Sequence, residues 1–345
     1  MRKGKIGRML SIGLSGLLGI GCVSQGGSGE GSSYTTVDGF TQGSTYHIVY
    51  NDPQGRDLRT PIEELLEDFD NSMSVYNPSS LLTRLNRNDP AAVPDRWIAE
   101  CLAIARRISD DTDGAFDITL RPLIEAYRIG SDDTPRLLSQ REIDSIRVFT
   151  GYRKARIEGG RLVKSDPRLA LDFNAIAQGY SADLMGAMFD SLGVADYLVE
   201  IGGEILCRGR NPQGGEWRVG IDRPIEGNLV PGEELQTILK LSDRGLVTSG
   251  NYRKFAYDEN GNKVTHTIDP HTLRPAVHNL LSATIIAPTA AVADGYATAC
   301  MVLGLERSKA LLARHPELEG YLVFGLHDGS MGVYTTPNLA KRISK

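Results

Sequence analysis

A chain of 345 residues with 41% hydrophobic and 23% charged positions has an ordinary globular composition, which excludes a fibrous or low-complexity protein. The net charge of -5 supplies no field for nucleic-acid phosphates. No Lys/Arg-dense tract interleaved with aromatics follows the first few residues, so nucleic acid is not expected as a partner.

At the start, Arg2, Lys3, Lys5 and Arg8 precede an apolar, glycine-rich stretch over residues 9–21, the pattern of an export signal. The stretch is too short to span a bilayer. It ends Leu18-Gly19-Ile20-Gly21-Cys22, which resembles the lipobox of a bacterial lipoprotein, with Cys22 as the acylated residue. The alternative is a plain secretory signal with a chance cysteine; the Gly- and Ser-rich residues 25–33 favour a tether behind an anchor. The expected organisation is a lipoprotein signal peptide at 1–22, a tether at 23–33 and one domain at 34–345, exported and anchored to a membrane facing the periplasm. Cys101, Cys207 and Cys300 lie far apart with no C-x-x-C pair, so they are expected as small core residues and not as a disulfide framework or zinc site.

Tyr46, Ile48 and Tyr50 alternate with His47 and Val49, which predicts an early strand. A helix then places Ile62, Leu65, Leu66 and Phe69 on one face, with Pro61 in its first turn. A second runs from about Asp95, burying Ile98, Cys101, Leu102, Ala105 and Ile108, and stops at the polar residues 110–114. A helix over residues 177–192 leads to a strand at 197–201 and a break at Gly202-Gly203. Further strands are predicted at 217–221, 237–241, 255–257, 281–286 and 321–324, and helices at 290–303 and onward to His315. Strands gathered in the second half, with helices inserted rather than regularly alternating, predict an α+β fold with antiparallel sheet.

No G-x-x-x-x-G-K-[ST] loop, H-E-x-x-H helix or G-x-S-x-G elbow occurs in the mature chain. The pairs Gly159-Gly160, Gly202-Gly203 and Gly214-Gly215 read as turns. Three segments remain that could carry chemistry. Leu171-Asp172-Phe173-Asn174-Ala175-Ile176-Ala177-Gln178-Gly179-Tyr180 opens a helix whose N-terminus would suit phosphate, although alone it is a routine loop-to-helix junction. Asp294 and Thr298, four apart, share a helix face and offer hard oxygen ligands for Mg2+. On spacing alone, an aspartate serving the helix dipole is the stronger reading. His266 at a strand end could accept a proton, yet one histidine near an Asp-Pro turn is more often structural.

Taken in order, these segments resemble the FAD:protein FMN transferase family (ApbE-like) over residues 41–304. The matching pieces are Gly43-Ser44-Thr45-Tyr46, Tyr76-Asn77-Pro78-Ser79-Ser80-Leu81 with Asn86, Asp113-Gly114-Ala115-Phe116-Asp117, residues 172–179, Ile201-Gly202-Gly203-Glu204, Thr248-Ser249-Gly250-Asn251-Tyr252, residues 266–270 and residues 293–298. The resemblance implies a T-fold-like α+β enzyme that moves FMN from FAD to a threonine hydroxyl of an acceptor protein and releases AMP. It places FAD as substrate against Gln42, Tyr76, Ala115, Phe116, Asp117, Asp172, Gln178 and Ile268. Mg2+ would take the Ala175 carbonyl and the Asp294 and Thr298 side chains, with His266 as the candidate base. It also points to subunits of membrane redox complexes as acceptors. Gln42 and Gln178 depart from the family, which more often has methionine and lysine or glutamate there. Two other readings keep part of this site: an FAD pyrophosphatase releasing FMN and AMP, and a non-catalytic FAD-binding lipoprotein.

Overall fold

The computed structural model describes residues 34–129, 135–225, 232–251, 255–257, 263–265 and 267–343, all within one compact unit. Two strands, β1 (Thr35–Thr41) and β2 (Ser44–Asn51), form a hairpin and are followed by helices α1 (Arg59–Met73), α2 (Leu81–Asn86), α3 (Arg96–Asp111), α4 (Arg121–Tyr127) and α5 (Gln140–Arg147). A small hairpin, β3 (Ala155–Glu158) and β4 (Arg161–Lys164), precedes α6 (Ala177–Ser191). Then come β5 (Asp196–Ile201), β6 (Glu204–Arg208), β7 (Trp217–Asp222), β8 (Leu235–Leu241), β9 (Arg244–Gly250), β10 (Phe255–Tyr257), β11 (Lys263–Thr265), β12 (Ile268–Asp269), β13 (Arg274–Pro275) and β14 (Leu280–Ala287). Helices α7 (Ala290–Leu303) and α8 (Leu305–Arg314) lead to β15 (Glu319–Gly325) and β16 (Met331–Thr335).

Eight strands make one antiparallel sheet in the order β1-β2-β5-β6-β9-β14-β15-β16. The period of two along β2 sends Tyr46, Ile48 and Tyr50 to the face covered by helices, where they join Ile62, Leu66 and Phe189. The Tyr50 hydroxyl also accepts the Leu58 N–H at 2.8 Å, which anchors the start of α1 to the sheet. On the opposite face the β7–β8 hairpin covers Cys207, Leu246, Ile286 and Val323. A sheet covered on both sides explains why β14 is buried at seven of its eight positions.

The expected α+β fold is what the structure has. The predicted amphipathic helix is α3, capped by the Asp95 carboxylate, which accepts the Ile98 N–H at 2.9 Å. Helix α7 covers the predicted span, and ten of its fourteen residues are buried, so it is the central helix of the core. Cys101, Cys207 and Cys300 are free and buried, as expected. The glycine pairs lie in turns with positive φ at Gly159, Gly160, Gly202, Gly203 and Gly214. Among the described residues no helix is long and apolar enough to cross a membrane. Cys22 and His266 lie outside the described residues.

Candidate active site

Helices α6 and α7 cross so closely that a methyl group at Gly179 would stand 2.5 Å from the Ala290 carbonyl oxygen. That approach lets the Gly179 N–H, in the first turn of α6, donate to Asp294 Oδ2 at 3.3 Å. One turn on, Asp183 accepts the N–H groups of Ala290 and Ala291 at 2.7 and 2.9 Å and so caps α7. Each helix therefore supplies a partner for the other. Asp294 is only 4% exposed, and burial, with a smaller contribution from the Asp183 charge, pushes its carboxyl well above the usual range. Among the described residues it pairs with no cationic side chain. Thr298 lies one turn further along α7, half-buried, with its hydroxyl 3.4 Å from that of Ser249 on β9. Ala175 sits half-buried in the loop that enters α6.

The β1–β2 turn reaches the same helix start. Gln42, at φ 50°, donates from Nε2 to Ser181 Oγ at 2.9 Å, and that hydroxyl donates to the Gln178 carbonyl at 2.8 Å. The Gln178 side chain lies against Gly202, where a methyl group would meet its Nε2 at once. Gln42 also borders a surface cleft of about 410 Å³ between the hairpin and α1.

A second group of predicted residues forms a rim. Asp172 is 5% exposed and accepts the Asn174 N–H at 2.9 Å, with Arg121 Nη1 3.5 Å from its other oxygen. Burial raises its pKa, against the pull of these donors. The Asn174 amide donates to the Tyr76 hydroxyl at 3.1 Å. Asp117 accepts from the Thr119 N–H and hydroxyl at 2.7 and 2.6 Å and from the Tyr152 N–H at 2.9 Å. Its carboxylate thus holds the loop in shape. Ala115 and Phe116 are each only 1% exposed, so they support the rim from the interior. Ile268 on β12 packs with Leu123, Tyr127 and Leu273. His271, in the β12–β13 turn, ties these pieces together, with Nε2 2.7 Å from the Asp113 carbonyl and Nδ1 3.2 Å from Asp269 Oδ1.

Sequence reading brought Asp294, Thr298, Asp172 and Gln178 to the right elements, but it gave no role to Arg121 or His271. Arg121 stands beside Pro122 at a helix start, where no periodicity marks it. His271 acts through a contact 158 residues away in sequence.

Residues 42–322 match the model of the ApbE family. The chain is 35% identical over 283 residues to a protein named FAD:protein FMN transferase from Vibrio cholerae, covering 80% of this chain and 83% of that one. It is 34% identical over 298 residues to the protein of the same name from Salmonella typhimurium, covering 84% and 83%. It also superposes on the solved flavin transferase ApbE from Vibrio cholerae with a TM-score of 0.79 at 31% identity, covering 90% of this chain and 99% of that one.

Proposed function

The chain belongs to the ApbE family, and on that premise we propose that it moves the FMN half of FAD onto an acceptor protein at a site built on Asp294, Thr298 and the Ala175 carbonyl. Transfer of FMN from FAD breaks a pyrophosphate bond and releases AMP, so the protein has mainly to align a nucleophile with phosphorus and balance charge. The acceptor's nucleophile is read as a threonine hydroxyl, and FAD lies against Gln42, Tyr76, Ala115, Phe116, Asp117, Asp172, Gln178 and Ile268.

The observation that carries the metal assignment is Asp294: a carboxylate 4% exposed, with one long N–H bond and hydroxyl oxygen one helical turn away. A buried carboxylate without a counter-charge is costly, and a hard cation among oxygen donors relieves that cost. These residues therefore fit Mg2+. When bound, Mg2+ supplies neutralisation of the pyrophosphate charge and polarisation of phosphorus. The residues do the rest. Gly179 and Asp183 keep the two helices in register, Asp117 shapes the rim, and His266 is assigned to take the proton of the threonine. If His266→Ala kept full transfer while FAD still bound, that role would be dropped.

The composition of the N-terminal segment supports an exported lipoprotein anchored through Cys22 by the tether at 23–33, facing the periplasm, with subunits of membrane redox complexes as acceptors. Cys22→Ala should move the protein from the membrane fraction to the soluble one.

The test of the reaction is to incubate the purified chain with FAD, with and without Mg2+ and a threonine-bearing acceptor domain, and to follow acceptor mass and AMP. An acceptor heavier by FMN, with matching AMP and only when Mg2+ is present, is the expected result. Free FMN and AMP with an unlabelled acceptor would make the protein a pyrophosphatase, and intact FAD throughout would make it a binding protein.

A further inference from the structure

Tyr76 is 71% exposed, yet its ring is not free to turn. Its hydroxyl accepts the Asn174 amide at 3.1 Å, and the Ser74 hydroxyl accepts its backbone N–H at 3.2 Å. One face of the ring is backed by the Arg121 guanidinium, whose central carbon stands 5.5 Å from the ring centroid, within cation–π range. Arg121 is in turn held at both sides. Its Nε donates to Glu125, one turn along α4, at 2.7 Å, and its Nη1 is 3.5 Å from Asp172 Oδ2. Only 18% of its side chain is exposed. A large aromatic ring left open to water on one side, fixed at its hydroxyl and supported from behind by a planar cation, is a platform for a flat partner.

We propose that Arg121 is a positioning residue for the flavin nucleotide: it backs the Tyr76 ring so that the ring's open face stacks a planar heterocycle of FAD, and it links that platform to Asp172. This rests on the FAD-dependent reading above. FAD carries two flat ring systems, the isoalloxazine and the adenine, and stacking on an aromatic side chain serves either. Charge alone would not do the same work. A lysine keeps the positive charge but lacks the planar fork that lies along a ring and reaches two carboxylates together. Without Arg121, Tyr76 keeps only its hydroxyl contact and can swing, and the buried Asp172 loses its cationic neighbour.

The experiment compares the full-length chain with Arg121→Met, Arg121→Lys and Tyr76→Ala. It reads FAD affinity by quenching of flavin fluorescence without acceptor, KM and kcat for FAD in transfer, and the melting temperature. Arg121→Met should weaken FAD binding and raise KM about five- to tenfold, with kcat within about twofold and reduced quenching. Arg121→Lys should recover part of the affinity, and Tyr76→Ala should lose at least as much as Arg121→Met. FMN and ADP used as separate probes identify the stacked ring, since only the half carrying it should lose affinity in Arg121→Met. Wild-type affinity and quenching in a folded Arg121→Met chain would overturn the proposal, and so would a lowered melting temperature with unchanged KM, which marks a structural arginine. Should Arg121→Met fail to fold, wild-type affinity in Tyr76→Ala overturns it equally. Binding is measured without the acceptor, so a chain that binds FAD but transfers nothing still tests Arg121, whereas one that binds no FAD removes both readings.

Discussion

At the α6–α7 crossing, Asp294 is positioned from inside the core by the Gly179 N–H and by a helix start that Asp183 caps, whereas the rim around Tyr76 and Asp113 is held by side chains that water reaches. The first half has no slack, because a methyl group at Gly179 already meets the neighbouring backbone. The second rests on contacts made by exposed side chains, such as the Asn174 amide to the Tyr76 hydroxyl at 3.1 Å and His271 Nε2 to the Asp113 carbonyl at 2.7 Å. A site divided this way separates two demands. Chemistry at phosphorus needs fixed oxygen atoms, while recognition of a nucleotide tolerates adjustment.

That division can be broken most severely at Asp294. Asp294→Ala removes a carboxylate assigned to the metal and should lower Mg2+-dependent AMP release about a thousandfold or more, given that such a cation contributes several kcal/mol. Full activity in that variant would sink the metal assignment. Gly179→Ala should cost about 1–3 kcal/mol of stability by forcing the two helices apart, read as a lowered midpoint in urea. An unchanged midpoint would mean the crossing yields more easily than its distances imply.

On the rim the expected effects are smaller and fall on binding. His271→Ala deletes the bridge between Asp113 and Asp269, and at about 1 kcal/mol for each hydrogen bond it should raise KM for FAD roughly five- to thirtyfold with kcat held. A fall in kcat at constant KM would move His271 out of the binding role.

The finest contrast is one of pH. Burial pushes the Asp183 carboxyl up to about 6, against the pull of the Ala291 and Ala290 N–H groups. The folded chain then holds this proton more tightly than the unfolded chain does, so the contribution to stability is fully present below the unfolded value of about 3.9 and declines as pH rises toward 6. Asp183→Asn should flatten the stability curve between about pH 4 and 6, measured by denaturation at several pH values. An identical slope in the variant would assign the pH dependence elsewhere.

Much of this molecule could be read before its fold was known, for reasons that differ from element to element. Strong periodicity marked α1 and α3, and Asp95 announced the start of α3 because a short carboxylate side chain reaches back to the third N–H of its own helix. Strands β1 and β9 escaped notice. Each contains glycine, which weakens a strand considered alone, and β9 is held extended by ladders to β6 on one side and β14 on the other. The site divided similarly. Asp294 and Thr298 could be placed on one face of one helix from their spacing, but Arg121 and Gly179 owe their importance to neighbours 51 and 115 residues away.

From the amino acids alone came the α+β class, the main helices, the burial of the three cysteines and a family resemblance carried by ordered short segments. Those are local or compositional properties, set by side-chain period, capping groups and residue type over a few positions. The antiparallel order of eight strands, the close crossing of α6 and α7 and the straps across the rim came only with the folded chain. They depend on which distant surfaces meet and how nearly, and a methyl group at Gly179 would disturb that crossing even though alanine is locally the better helix former.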